Sequence, residues 1–459
     1  MNLLSVAAAT VFIVSVQASA FAQAPVVPQT PAAAHTATSF TDTERAALIT
    51  YWAAPGRYAK SLPSDALSRG IWQVRLTPEG SAWLLKYQNA IGSRGVAPTV
   101  DPTSLASDHA GWKSWVQAKI GLDRHIAQDV ADSANRAAGL PTAATPQFAA
   151  ALADPGPIPP SLLASVGNPP SFAYAVTPMQ YSVLFDDADS YVYTDNVQLP
   201  PAYAYYRFPQ GVAVSGGHPS DAENAALFAA AGMTESEQRI SSAVSKLEGS
   251  FEAINTYDTG SVSVGFIQFV TMDDGKHSLS EVLQREKLDH PDEFARDFHR
   301  FGIDVSPDGV IDVIDPATGA ELIGPDAVHK LVDDKRLIAV FQRAGRHSTS
   351  FRVSQIQIAR SHYWPADDPI TINIVTGSGT QTLTGKVSDV VHSEAGIATL
   401  FDRKVNRGSC EPITSVLTKL IQAHGLSSLA DAAQYEREII TALKYRGEFL
   451  NDTSLTQPQ

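Results

Sequence analysis

A chain of 459 residues exceeds one ordinary hydrophobic core, and 44% hydrophobic against 18% charged residues excludes wholesale disorder. A net charge of −14 argues against general binding to nucleic acid or anionic lipid. The single cysteine, Cys410, excludes an intramolecular disulfide framework, and no segment beyond the N-terminus is long and apolar enough for a membrane span.

Residues 1–24 read as a signal peptide. An apolar run from Leu3 to Val16 precedes small residues at alternate positions in Ala18-Ser19-Ala20-Phe21-Ala22-Gln23-Ala24, an A-x-A-like cleavage site. The stretch before the apolar run carries no Lys or Arg, so a retained N-terminal anchor is the alternative. Export implies a periplasmic or secreted protein. Residues 25–39 read as a flexible lead-in, and helical periods dominate the N-terminal region 25–152. Trp52, Trp72, Trp83, Trp112 and Trp115 are interleaved there. Packing in a helical core is their expected role, and a sugar-stacking surface is the alternative. Ala153–Pro170 is rich in Pro and Gly and reads as a linker. With the aromatic and polar alternation of residues 171–210 it makes 153–218 a connecting, extended segment.

The remaining residues, 219–450, read as one domain. Asp221–Ala231 predicts a helix, and Thr234-Glu235-Ser236-Glu237 is a capping box that opens the next. Ile240, Val244 and Leu247 recur on that helix at helical spacing, and Gly249 ends it. Ser261–Val270 reads as a strand with a close backbone approach at Gly265. Helices over about 278–287 and 291–301 precede a hairpin from Val310 to Ile323. Helices over 325–344 and 349–363, a second hairpin around Gly377-Ser378-Gly379, and helices over 388–404 and 411–446 complete the chain.

Glu248 is placed in the last turn of its helix, where the negative end of the dipole opposes ionisation. Its i−4 neighbour is the apolar Val244. Both effects raise a carboxyl pKa, as a general acid requires. Ten residues on, Asp258 sits in the turn Thr256–Gly260. It is either a turn-closing residue or the second carboxylate that glycosidic cleavage uses to activate water or stabilise the cationic centre.

Three segments resemble the lysozyme-like superfamily. Leu247-Glu248-Gly249, Tyr257-Asp258-Thr259-Gly260 and Ser263-Val264-Gly265-Phe266 are similar to the Glu–Asp–Thr signature of phage-type lysozymes. Ser263–Phe269 resembles the Ser-x-Gly-Leu-Met-Gln strand of lytic transglycosylases and goose-type lysozymes. Asp402–Gly408 resembles an Asp-x-x-Val-Asn-x-Gly segment of several glycan hydrolases. The resemblance implies Glu248 as the acid and Asp258 as the second carboxylate. Ser263 stands where phage enzymes use Thr to hold a water, and Tyr257, Gln268 and Asn406 would bind substrate. The implied fold is α+β and mainly helical, a two-lobed lysozyme-like catalytic domain behind an N-terminal accessory domain.

The implied activity is hydrolysis of peptidoglycan strands without metal or organic cofactor. A chitosanase-type hydrolase or a lytic transglycosylase is the alternative, and a non-catalytic wall-binding protein the competing class. The acidic balance would attract a cationic polymer such as chitosan. Asp304–Asp312, extended to Asp315, approaches a calcium-loop pattern, but Pro307 interrupts it and a hairpin follows, so a turn is expected. His277, His290, His299, His347 and His362 show no paired ligand spacing, which argues against zinc.

Overall fold

The computed structural model describes residues 39–64, 70, 72–93, 98–100, 102–142, 154–376, 379–445 and 449–459, without the side chains of 102–106, 248 and 376. The signal-peptide reading of residues 1–24 and most of the lead-in fall outside the described residues. The chain mixes α and β, with about half of it helical. Its sheets are small, of two to four strands, and their pairings are antiparallel. Among the described residues, no helix is long and apolar enough to cross a membrane.

Two compact units are present, and both are discontinuous in sequence. Among the described residues, the first holds those from Ser39 to Gly217 together with Phe251–Gln355; the second holds His218–Ser250 and Ile356–Gln459. Residues 219–450, read as one domain, are therefore divided. The reason is topological: Phe251–Gln355 finds its contacts with the N-terminal half rather than with its neighbours in sequence.

In the first unit, helices Asp42–Ala53, Pro78–Ala90 and Pro102–Ala137 meet strands Ala173–Val176, Gln180–Leu184 and Ser190–Thr194. Two strands within the helical stretch, Tyr58–Ser61 and Gln73–Leu76, pair with Gln180–Leu184 and Ala173–Val176. Trp52, Trp83, Trp112 and Trp115 are buried in the core, whereas Trp72 is 37% exposed.

The expected linker is a correction to the sequence reading. Pro160–Val166 is a helix whose Leu162 and Val166 are buried. Three indole N–H groups fasten the surrounding segment: Trp115 donates to Gly156 O, Trp112 to Ser161 Oγ and Trp83 to Gly167 O. Pro at the first helical turn removes a donor that would be orphaned anyway, so the prolines start this helix rather than prevent it.

Ser261–Val270 is also corrected. It forms two short strands, Ser263–Val264 and Phe269–Val270, paired with each other. The chain reverses between them through Gly265 (φ 88°) and Gln268 (φ 57°). The expected close approach at Gly265 is present: a Cβ there would lie 2.1 Å from Gln355 Oε1.

In the second unit, Ser220 caps Asp221–Ala230, and the Thr234–Glu237 capping box opens Glu235–Glu248. The expected long C-terminal helix is broken into Ile413–His424, Leu429–Ala432 and Glu436–Ala442, because Gly425 turns left-handed (φ 61°) and ends the first piece. The hairpin Pro369–Thr376 with Gly379–Lys386 pairs as expected.

Candidate functional site

The residues singled out from sequence fall in two units. Glu248 and Asn406 belong to the second, and Tyr257, Asp258, Ser263 and Gln268 to the first.

Glu248 is the last residue of Glu235–Glu248, and Gly249 (φ 135°) is its C-cap. One and two turns before it on the same helix, Val244 and Ser241 are both fully buried. The amphipathic order begins at the capping box, worth about 1 kcal/mol, where Glu237 also receives two bonds from Arg360. Helix Glu394–Arg407 packs beside it. Arg239 and Ser236, near the start of the first helix, both bond Glu394 at the start of the second. Lys246 acts on Asp452, and the Tyr445 hydroxyl donates to Asp402 O. Asn406 is buried and donates to Asp402 O at 2.9 Å, one turn back along its helix.

In the first unit the turn residues form a polar knot. Asp258 is 3% exposed. Its Oδ1 accepts from Gly260 N and its Oδ2 from Asn255 Nδ2, each at 2.9 Å. Burial pushes its carboxyl above the ordinary range, and these hydrogen bonds and the nearby Arg207 oppose the rise. Backbone N–H groups of Arg207 and Phe208 donate to Tyr257 O, and Tyr206 bridges to Asp258. The Tyr257 ring is buried near Tyr203, and its phenol is pushed up mainly by burial. Ser263 is buried in the strand pairing with Asn255. Gln268 donates through Nε2 to Gly265 O, closing its own turn. The structure brings Tyr257, Asp258 and Ser263 together as a hydrogen-bonded turn and small sheet.

Other buried ionisable groups escaped the sequence reading. Glu286 is fully buried, accepts from Ser350 Oγ at 2.9 Å and is pushed up to about 8 by burial. The signal was present: Leu279, Val282 and Leu283 define an inward helix face, and Glu286 is the next position on it. Lys335 is likewise fully buried, donates to Val332 O and Asp333 O, and is pushed down to about 8 by burial. Its bonds satisfy carbonyls at the end of the preceding helix, Pro325–Asp333.

The acidic turn Asp186–Asp189 is ion-paired: Asp187 meets Arg343 and Asp189 meets His347. The calcium-like segment is a hairpin turn, with Asp308 on Lys276 and Asp304 on Lys287. Among the described residues, no group of three or more His, Cys, Asp or Glu side chains could hold a metal ion. Cys410 is buried, and its thiol is pushed up to about 12, chiefly by burial. No protein-family model, curated protein or solved structure matches the chain.

Proposed function

We propose that the chain is a periplasmic or secreted, lysozyme-like enzyme that cleaves peptidoglycan glycan strands with Glu248 as general acid. The observation that carries the reading is the position of Glu248. It closes a capped helix in which Val244 and Ser241, one and two turns before it, are buried, at the dipole end that disfavours a carboxylate. A carboxyl held protonated near neutrality can protonate a glycosidic oxygen as the C1–O bond breaks. The two-lobed lysozyme-like arrangement and the accessory role of the N-terminal half belong to the same proposal.

The burial of Asp258 favours one variant. A second catalytic carboxylate must reach water or the sugar, whereas both Asp258 oxygens are engaged within their own turn. A single-acid route fits this better: after protonating the leaving oxygen, the Glu248 carboxylate takes the proton of a hydroxyl of the same sugar as that hydroxyl closes on C1. This is the lytic-transglycosylase reaction, and it leaves anhydro ends. Hydrolysis would leave reducing ends.

The test is incubation of wild type and Glu248→Gln with peptidoglycan and with chitosan, and mass spectrometry of the product ends. Cleavage of peptidoglycan by wild type alone is the expected result. Cleavage retained in Glu248→Gln would overturn the assignment, and binding without turnover in wild type would make the chain a wall-binding protein. Cleavage of chitosan alone would reassign the substrate.

A further inference from the structure

Three buried carboxyls share one face of a three-stranded sheet in the first unit, made of Ile303–Val305, Ile311–Ile314 and Glu321–Ile323. Asp304 stands opposite Asp312, and Ile314 opposite Glu321. Side chains alternate along a strand, so Asp304, Asp312, Ile314 and Glu321 point to one side. Ile303, Val305, Ile311 and Val313 fill the other and are buried.

The N-terminal helix Asp42–Ala53 and the two residues before its cap close the polar face. Phe40 and Leu48 pack with Ile314. Ser39 N donates to Glu321 Oε1 at 2.6 Å, and Arg45 lies 3.0 Å from Glu321 Oε2. His299 bridges the helix and the sheet: its Nε2 is 3.2 Å from Glu44 and its Nδ1 2.7 Å from Asp304, and its ring stacks on Phe40 at 4.4 Å. Lys287 meets Asp304 at 2.5 Å.

The charges here are Arg45, Lys287 and His299 against Glu44, Asp304, Asp312 and Glu321. Three cations face four carboxyls, so charge balances when one carboxyl keeps a proton. Asp312 is 2% exposed, and among the described residues its Oδ1 has no hydrogen-bond partner. A second ionised carboxylate beside Glu321 in this setting is costly.

We propose that the N-terminal helix is a proton-dependent clasp, docked while Asp312 keeps its proton beside Glu321 and His299 is charged, and loosened when those protons leave. Burial, with Glu321 and Asp304 nearby, raises the Asp312 carboxyl. The hydrogen bond to Asp304 leads the causes that raise His299. A raised folded-state pKa contributes stability at low pH that is lost as pH rises through it, so both groups weaken the clasp in the alkaline direction. Glu44 and Asp304 are lowered, so their contribution fails only at the acid end.

Hydrogen exchange of the full chain, corrected for intrinsic rates, tests this over residues 39–53 between about pH 5 and about pH 9. The expected result is a fall in protection of about tenfold or more beyond any change in the core helix Lys335–His347, the equivalent of one unit of differential protonation. Asp312→Asn is expected to reduce the fall to the part that His299 contributes. Should that variant not fold, Glu321→Gln removes the other half of the pair and is expected to do the same. Constant protection in wild type, an undiminished fall in the folded variant, or a loss over residues 39–53 no greater than that of the core helix would each overturn the clasp.

Discussion

The backbone N–H of Gly260 donates to Asp258 Oδ1 at 2.9 Å, so this carboxyl closes the turn it sits in. An Asn at position 258 keeps an acceptor oxygen for that bond and carries no charge into a buried place. Asp258→Asn is therefore expected to fold and to retain glycan cleavage within a few-fold, whereas Asp258→Ala should cost about 1–3 kcal/mol by orphaning the Gly260 and Asn255 donors. Turnover assays and denaturant titrations separate the two. Loss of cleavage in a stably folded Asp258→Asn would restore the two-carboxylate mechanism.

Gly265 and Gln355 make a second local constraint. Gln355 accepts from Phe266 N and donates to Phe251 O, and it occupies the space a Cβ on residue 265 would need. Gly265→Ala meets a positive φ worth roughly 1–2 kcal/mol and must also displace this buried amide. A total loss of about 2–4 kcal/mol in chemical denaturation is expected. A loss under about 1 kcal/mol would show that Gln355 moves aside freely.

Local signals in the sequence carried the local structure. The Thr234 capping box, the hairpin at Asp315–Gly319 and the helix Asp221–Ala230 all form where side-chain chemistry and short-range period announce them. What failed was long-range. The segment around Pro160–Val166 looks like a linker because its partners, Trp83, Trp112 and Trp115, are 41 or more residues away. The turn at Gly265 and Gln268 was hidden because alternation across Ser261–Val270 suits one strand or two equally well. Of the site residues, the helix-end position of Glu248 was legible and the burial of Asp258 was not. The first depends on one helix; the second needs Arg207 and Tyr203, folded over from elsewhere in the chain.

The tryptophans give a paired prediction. Trp112 is buried and bonded to Ser161, so Trp112→Ala should cost about 3–5 kcal/mol. Trp72 is partly exposed, and Trp72→Ala should change stability by no more than about 1 kcal/mol. Thermal unfolding of both variants checks the contrast. Glycan affinity of the folded Trp72→Ala then decides whether that ring stacks on sugar: an unchanged Kd rules it out.

Glu286 gives a pH dependence with a definite sign. Burial raises its folded-state pKa from the ordinary glutamate range to about 8. Between those two values the unfolded chain has released the proton and the folded chain still holds it, so stability falls as pH rises. The slope from this one group can reach about 1.4 kcal/mol per pH unit, and it vanishes above about 8, where both states are ionised. Asp297, also buried, adds to the penalty on the charged form, while Ser348 and Ser350 donate to Oε1 and moderate it. Glu286→Gln keeps an acceptor for the two serines and removes the titration. Its unfolding free energy should therefore be flatter than that of wild type from about pH 5 to about pH 8 and exceed it at the upper end. Parallel curves for the two proteins would mean that Glu286 ionises inside the fold with help from Arg296, the one cation among the main influences on it.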